Sequence, residues 1–124
     1  MSSAVRRAAV ACTEGTIVAN NGSCSARLRF PPDFIGFQGH FPGNPILPGV
    51  CLIEAVLGVL ESAYGKSLRL RKIVSAKFRE PVRPDQAIVI DCASSAEARG
   101  LRVNARVSCD GGRIAELVLH LTAS

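Results

Sequence analysis

A single apolar helix constrains the fold of this chain more than any other feature of its sequence. Residues 49–64 read GVCLIEAVLGVLESAY, and apolar side chains occur on nearly every side of the corresponding helical projection. Such a helix must be buried on most of its faces. Pro48 precedes it where helix starts tolerate proline, and Gly65 follows it where helices commonly stop. The sequence therefore predicts one long buried helix that the rest of the chain has to cover.

The segments on either side of this helix have the patterns of strands and turns. Residues 23–30 alternate between apolar and polar side chains, as in a half-buried strand. Before them, apolar stretches at 5–13 and 16–19 are separated by a turn at 14–15, and a second turn falls at 20–22. After the helix, strands are predicted at 71–80, 87–93, 101–109 and 113–122, with a tight hairpin at Asp110-Gly111-Gly112. The predicted class is α+β with an antiparallel sheet. Because one helix covers only one face of such a sheet, a homo-oligomer is expected.

Length and composition indicate a single globular domain over residues 1–124. The chain has 124 residues, of which 48% are hydrophobic and 20% charged. No apolar run approaches the ~18 residues that span a bilayer, and AAVAC near the N-terminus is too short for the apolar region of a signal peptide. A soluble, cytoplasmic protein is expected. Five cysteines, at positions 12, 24, 51, 92 and 109, lack the spacing of a metal site. Reduced and mostly buried thiols are therefore expected.

The positive charge of the chain is concentrated in one segment. The net charge is +5, and seven of the fifteen cations lie between Lys66 and Arg83, against one acid, Glu80. Such a surface suits an acidic partner or is simply solvated. The segment has one aromatic residue, Phe78, and matches no nucleic-acid-binding motif. Nucleic acid is therefore not an expected partner.

Two ionisable residues occupy unusual places. His40 lies in a loop rich in proline and glycine at 31–48, and Glu54 lies fourteen residues later inside the apolar helix. A loop of this length in a small domain is commonly functional, and His accepts a proton near neutral pH. Burial of a carboxyl group without a partner favours its protonated form, which can act as a general acid. Glu61, near the end of the helix, is expected to be solvated.

The start of the helix supplies a third kind of functional group, free backbone N–H donors. The backbone N–H groups of Gly49 and Val50 have no partner inside the helix, and the helix dipole favours negative charge at this end. These donors suit a carbonyl oxygen that gains negative charge during a reaction, and Gly49 has no side chain to block its approach. A base, an acid and oxyanion donors within residues 39–54 predict the addition or elimination of water.

The same stretch resembles a known family of enzymes. GHFPGNPILPGVCLIEA at 39–55, preceded by DFIGFQ, is similar to the active-site signature of the hotdog-fold 3-hydroxyacyl-(acyl carrier protein) dehydratases of bacterial fatty-acid synthesis. In that family the acid lies fourteen residues after the histidine, as Glu54 lies after His40. KFREPVRPDQ at 77–86 is similar to the strand and proline turn that follow the family's helix. The similarity covers about residues 31–90.

The resemblance implies a fold, a reaction and a partner. The fold would be the α+β hotdog, with a long central helix wrapped by a curved antiparallel sheet, and two protomers would pair their sheets. His40 from one chain would be the base at C2, and Glu54 from the other the acid for the 3-hydroxyl group. Gly49 would bind the thioester carbonyl, and Val50 and Phe41 would complete the substrate site. No metal or cofactor is implied. Acyl carrier protein would be the partner of the basic segment 66–83, and the assembly would be a homodimer or a trimer of dimers.

The sequence also departs from the family pattern. The family often has Gln four residues after the acid, where this chain has Gly58, and its usual N-terminal segment is shorter here. These departures suggest a specialised paralogue in polyketide, aryl-polyene or similar synthesis, and they leave two alternatives. One is a hotdog thioesterase in which the helix carboxylate activates water. The other is a non-catalytic module that binds acyl chains or carrier protein. Glu rather than Asp at position 54 argues against an additional isomerase activity.

Overall fold

The computed structural model describes the backbone of residues 3–38 and 43–123, which form two α-helices, a short 3-10 helix and six strands. In chain order the elements are α1 (Ser3–Val10), β1 (Thr13–Asn20), β2 (Ser23–Arg29), a 3-10 helix (Ile35–Phe37), α2 (Gly49–Tyr64), β3 (Leu68–Phe78), β4 (Ala87–Glu97), β5 (Gly100–Cys109) and β6 (Gly112–Ala123). The strands form one sheet in the order β1-β2-β4-β5-β6-β3, and every neighbouring pair is antiparallel. The predicted α+β class with an antiparallel sheet is therefore confirmed.

The central helix α2 has the bounds that the sequence predicts. It runs from Gly49 to Tyr64, with Pro48 in extended conformation as its N-cap. Gly65 ends it in the left-handed conformation, with a φ of 63°, and donates its N–H to the carbonyl of Glu61. This arrangement is a common helix C-terminus that glycine adopts without strain. Ten consecutive residues, from Cys51 to Leu60, are buried, as a helix that is apolar on all sides requires.

The main core lies between α2 and one face of the sheet. Alternate residues of the central strands point into it, as the two-residue period of a strand requires. These residues are fully or almost fully buried: Leu28, Ile88, Ile90, Val103, Val107, Leu117, Leu119 and Leu121. Cys24, Cys51 and Cys92 are buried, Cys12 and Cys109 are half-buried, and all five thiols are free, so the prediction for the cysteines is confirmed. In the described part of the chain, no helix combines the length and the apolarity needed to cross a bilayer.

The predicted strands are present with small differences in their bounds. The turn predicted at 14–15 is wrong, because these residues lie inside the continuous strand β1. β3 begins at Leu68 rather than at residue 71, and β4 continues to Glu97 rather than ending at residue 93. The extension of β4 carries mostly polar residues that do not alternate in burial, so the hydrophobic pattern did not include it. The extension of β3 does alternate, with Leu68 buried and Arg69 exposed, and was not recognised in the sequence. The hairpin at 110–112 joins β5 to β6 as predicted.

The prediction of a single helix is wrong, because residues 3–10 form the helix α1 instead of the start of an apolar extended stretch. Val5 and Ala9, one helical turn apart, are buried against the core. α1 packs on α2 at Gly58, where an added Cβ atom would lie 2.5 Å from Cγ2 of Val10 and 3.1 Å from the carbonyl oxygen of Arg6. The absence of a side chain at position 58 therefore allows the two helices to touch.

We expect Gly58→Ala to destabilise the protein although alanine is the better helix former. The added methyl group must displace α1, an overpacking cost of about 1–3 kcal/mol that exceeds or cancels a gain of up to ~1 kcal/mol in helix propensity. Urea unfolding measures the free-energy change. Combining Gly58→Ala with Val10→Ala removes the closest clashing atom, and the loss in the double variant should be smaller than the sum of the two single losses. An increase in stability for Gly58→Ala alone would contradict this packing.

Candidate active site

The N-terminus of α2 presents free backbone donors. The carbonyl of Pro48 accepts the N–H groups of Cys51 and Leu52 at 3.0 and 3.2 Å. The N–H groups of Gly49 and Val50 have no hydrogen-bond acceptor among the described residues, as expected for the first turn of a helix. The Val50 side chain is 49% exposed. Within the described part of the chain, the predicted oxyanion donors are therefore unpaired, and Val50 lies at the surface.

Three contacts fix the segment that leads into α2. The N–H of Leu47 donates to the carbonyl of Val82 at 2.9 Å, and Nη1 of Arg83 donates to Oδ1 of Asn44 at 2.6 Å. The ring of Phe78 lies over Gly49, where an added Cβ atom would be 2.7 Å from its Cζ. Glycine at position 49 therefore lets the aromatic ring cover the helix start.

An apolar cleft of about 230 Å³ lies beside this helix start. Its lining includes Ile46, Leu47, Gly49, Leu52, Phe78 and Val82. Sequence reasoning did not assign Phe78 to the site, although KFREPV follows the family pattern, because only the fold brings the end of β3 to the start of α2. The cleft places apolar walls next to the free donors of Gly49, an arrangement that suits a thioester with an apolar chain.

Glu54 is buried but it has a partner within the same chain. The residue is 3% exposed, and Arg6 of α1 donates from Nε to Oε1 at 2.9 Å and from Nη2 to Oε2 at 3.2 Å. The expectation of an unpaired carboxyl group in an apolar helix is therefore wrong. A two-point guanidinium–carboxylate pair is among the strong charge-assisted interactions in proteins. The sequence contained no signal for this pair, because 48 positions separate its members.

The expectation that Glu61 is solvated is also wrong. Its Oε2 accepts hydrogen bonds from Nη1 of Arg6 at 3.1 Å and from the N–H of Leu68 at 2.7 Å. Nη1 of Arg6 also donates to the carbonyl of Leu68 at 3.1 Å. The guanidinium is thus bound on both sides, by Glu54 and by Glu61.

The carboxylates of Glu54 and Glu61 change the pKa of Arg6, and that of Glu54 changes the pKa of Cys51. Burial works against the charged guanidinium, but the hydrogen bonds and charges of Glu54 and Glu61 outweigh it and raise the pKa of Arg6 above its ordinary value. Burial, followed by the charge of Glu54, raises the pKa of the Cys51 thiol. Cys51 therefore stays a neutral thiol near neutral pH, and it takes no part in the cleft beside Gly49, whose lining residues do not include it.

The structure does not bring all the predicted site residues together. His40 and Phe41 lie outside the described residues. Gly49 faces Phe78 on β3, whereas Glu54 faces Arg6 on α1. Five residues of helix rotate a side chain by about 140°, which places these two contacts on different sides of α2. Within one protomer, the described lining of the cleft therefore does not include Glu54.

Comparison with known proteins identifies the family. The model of the ApeI-like family, described as ApeI dehydratase, matches residues 16–115. A curated relative, the 3-hydroxyacyl-(acyl carrier protein) dehydratase FabZ of Lactobacillus helveticus (strain DPC 4571), is 40% identical over 72 residues, which are 52% of this chain and 47% of that protein. The chain spans about half the length of this relative.

Solved structures agree on the fold. The dehydratase heterocomplex ApeI:P from Xenorhabdus doucetiae superposes with a TM-score of 0.74 at 19% identity, covering 88% of this chain and 98% of that one. A hypothetical thioesterase from Streptococcus pneumoniae TIGR4, crystallised with coenzyme A, superposes with a TM-score of 0.68 at 12% identity and covers 98% and 95% of the two chains. These neighbours confirm the hotdog fold. Because the family model matches 100 of the 124 residues, the chain belongs to the ApeI-like dehydratase family.

Proposed function

We propose that this protein removes water from a 3-hydroxyacyl thioester carried on acyl carrier protein and forms the trans-2-enoyl thioester. The observation that carries the proposal is the pair of free N–H groups at the start of α2 beside an apolar cleft, on the same helix as the buried carboxylate of Glu54. Family membership and the named activity of the FabZ relative support the reaction type. Cytoplasmic location and the pathway served stay predictions.

In the proposed reaction, His40 takes the proton from C2 of the substrate. The electron pair of that C–H bond forms the C2–C3 double bond while the C3–oxygen bond breaks. Glu54 gives its proton to the departing hydroxyl group, so that water leaves. The N–H groups of Gly49 and Val50 hold the thioester oxygen as it gains negative charge, and Phe41 contacts the substrate. The atoms balance without a cofactor or a metal.

The proposed site is shared between two protomers. The cleft at Gly49 and the carboxylate of Glu54 lie on different sides of α2, so one protomer does not supply both to one substrate in this arrangement. A partner chain that supplies Glu54 next to the His40 loop of the first chain resolves this separation. We therefore propose that His40 and Glu54 of different chains form each site.

A hotdog thioesterase is the second candidate, because a specific contact favours it. The bidentate bond from Arg6 suits a carboxylate form of Glu54, and a carboxylate can activate water to attack the thioester carbonyl. The two candidates differ in product: dehydration gives an enoyl thioester, whereas hydrolysis gives a free acid and a free thiol.

The proposed reaction predicts that His40 and Glu54 are both needed for turnover. With 3-hydroxyacyl carrier protein as substrate, the wild type should lose one water, and His40→Ala and Glu54→Gln should each lower kcat by about 10²- to 10⁴-fold. Mass spectrometry of the acyl carrier protein measures the product. His120→Ala and Glu14→Gln, which change the other histidine and an exposed acid of β1 outside the cleft, serve as matched controls with wild-type turnover. Release of free acid instead would support the thioesterase, and carrier binding without either product would support a non-catalytic module.

The second prediction concerns assembly through β3. This strand has one neighbour in the sheet, β6, and its exposed residues include Ile73, Val74 and Phe78, which are 43–48% exposed. An unpaired edge with exposed apolar residues is ready to pair with another strand. We expect the wild type to be a dimer and Val74→Glu to dissociate it without unfolding it. Light scattering after gel filtration measures the mass, with Val18→Glu on the opposite edge strand as control. A monomeric wild type would contradict the shared site.

The third prediction concerns the carrier protein. All seven cations between residues 66 and 83 are exposed, and the hydrogen bond from Arg79, with the charges of Arg79, Arg113 and Lys77, lowers the pKa of Glu116. The segment therefore offers seven exposed cations against one acid, Glu80, to an acidic partner.

Arg83 stands beside the segment that leads into the cleft, through its bond to Asn44. We expect Arg83→Glu to raise KM for acyl carrier protein by about tenfold more, the effect of ~1.4 kcal/mol, than it raises KM for the corresponding pantetheine thioester, which reports the loss of the bond to Asn44. Arg27→Glu, which reverses an exposed charge on β2, should change neither KM. Equal effects of the two variants on acyl carrier protein would show that only net charge matters.

A further inference from the structure

We propose that Arg6 is a positioning residue for Glu54, held in place by Glu61 and admitted to the site by Gly58. The inference rests on the proposed function, since it assigns a role in the reaction of Glu54. It goes beyond the family resemblance, in which the residue near the acid is a glutamine of the same helix at the place of Gly58. In this chain the polar partner of the acid comes from a different element, α1.

Three residues that lie on one face of α2 form this arrangement. Glu54, Gly58 and Glu61 are spaced by four and three residues, so they lie in a row along the helix. α1 crosses this row at its middle. An added Cβ atom at position 58 would meet Cγ2 of Val10 at 2.5 Å and Cγ of Arg6 at 3.2 Å. Arg6 thus occupies the space into which a side chain at position 58 would project.

The hydrogen bonds then fix the orientation of the guanidinium. Nε and Nη2 bind the two oxygens of Glu54, and Nη1 binds both Glu61 and the carbonyl of Leu68. Glu61 is itself held by the N–H of Leu68 at 2.7 Å. The Arg6 side chain is 18% exposed and that of Glu54 only 4%. Because the guanidinium is anchored on the Glu61 side, its two bonds to Glu54 hold the carboxylate in one plane.

This contact has a direct chemical consequence. When Glu54 gives its proton to the leaving hydroxyl group, a negative charge is created in a buried position, and Arg6 is placed to stabilise it. In the reverse reaction the same carboxylate accepts a proton from the water that adds to C3. The described ionisable groups that face Glu54 are Arg6 of α1 and, on α2 itself, Cys51 and Glu61. Arg6 is the one cation among these groups.

The test compares Arg6→Gln, Arg6→Lys and Arg7→Gln. Arg7 is exposed on the same helix, so its replacement removes the same charge from α1 and should leave turnover at the wild-type level. Arg6→Gln should lower kcat by about 10- to 100-fold, as expected when a catalytic group is misplaced, while KM changes by less than about threefold. Arg6→Lys keeps the charge but cannot form the two-point bond, and it should recover part of the lost kcat.

The pH dependence of kcat distinguishes a positioning role of Arg6 from a purely structural one, because loss of a purely structural residue would not shift it. A carboxyl group that has lost its cationic partner holds its proton to higher pH. The pH profile of kcat should therefore change in Arg6→Gln and stay in place in Arg7→Gln. Equal kcat losses for Arg6→Gln and Arg6→Lys, with an unmoved pH profile, would overturn the proposal and leave Arg6 a structural residue.

Failure of the proposed function is distinguishable from failure of this inference. If the wild type yields no enoyl product, the proposed function is wrong, and Arg6 is then tested without substrate. The side-chain ¹³C signal of Glu54, assigned by its loss in Glu54→Gln, is followed across pH in folded protein. A titration that changes in Arg6→Gln but not in Arg7→Gln would support Arg6 as the residue that controls Glu54. Identical titrations in all three proteins would overturn it.

Discussion

The bond between Arg6 and Glu54 is the interaction on which the arrangement of the two helices depends. Both groups lose most of their contact with water. Among the described residues, the cost of burying either charge is met by the other and by the bonds to Glu61 and Leu68. Removing one member of a buried pair commonly costs about 3–5 kcal/mol, because the remaining charge is left without compensation. The position of α1 is therefore fixed by charge as well as by the apolar contacts of Val5 and Ala9.

The central helix separates two chemical environments. On one side, the start of α2 meets Phe78 and an apolar cleft, with free backbone donors at Gly49 and Val50. On the other side, Glu54 lies in a charged contact with α1. The proposed reaction needs both the donors and the carboxylate, and the proposed pairing of two protomers through β3 would bring them together. The exposed apolar residues of β3 and the separation of the site both support that proposal.

The sequence predicted those features that depend on interactions between residues close together in the chain. The ends of α2 follow from Pro48 and Gly65, and the hairpin between β5 and β6 follows from Asp110-Gly111-Gly112, since each signal acts within a few residues. The helix α1 was missed because eight residues with two arginines give too short a pattern to identify. The contacts of Arg6 with Glu54, and of Phe78 with Gly49, were beyond reach because they join residues far apart in the chain, and only the folded topology specifies them.

The glycine at position 58 and the helix α1 are best understood as one structural change. Considered alone, replacement of the family's glutamine removes a polar group near the acid and puts activity in doubt. In the structure, glycine at position 58 leaves the surface of α2 open, so that α1 can approach and Arg6 can reach Glu54 with two hydrogen bonds. A side chain at position 58 and the present position of α1 exclude one another sterically. Glycine at position 58 therefore does not by itself argue against catalysis, because Arg6 of α1 gives Glu54 a polar partner from another part of the chain.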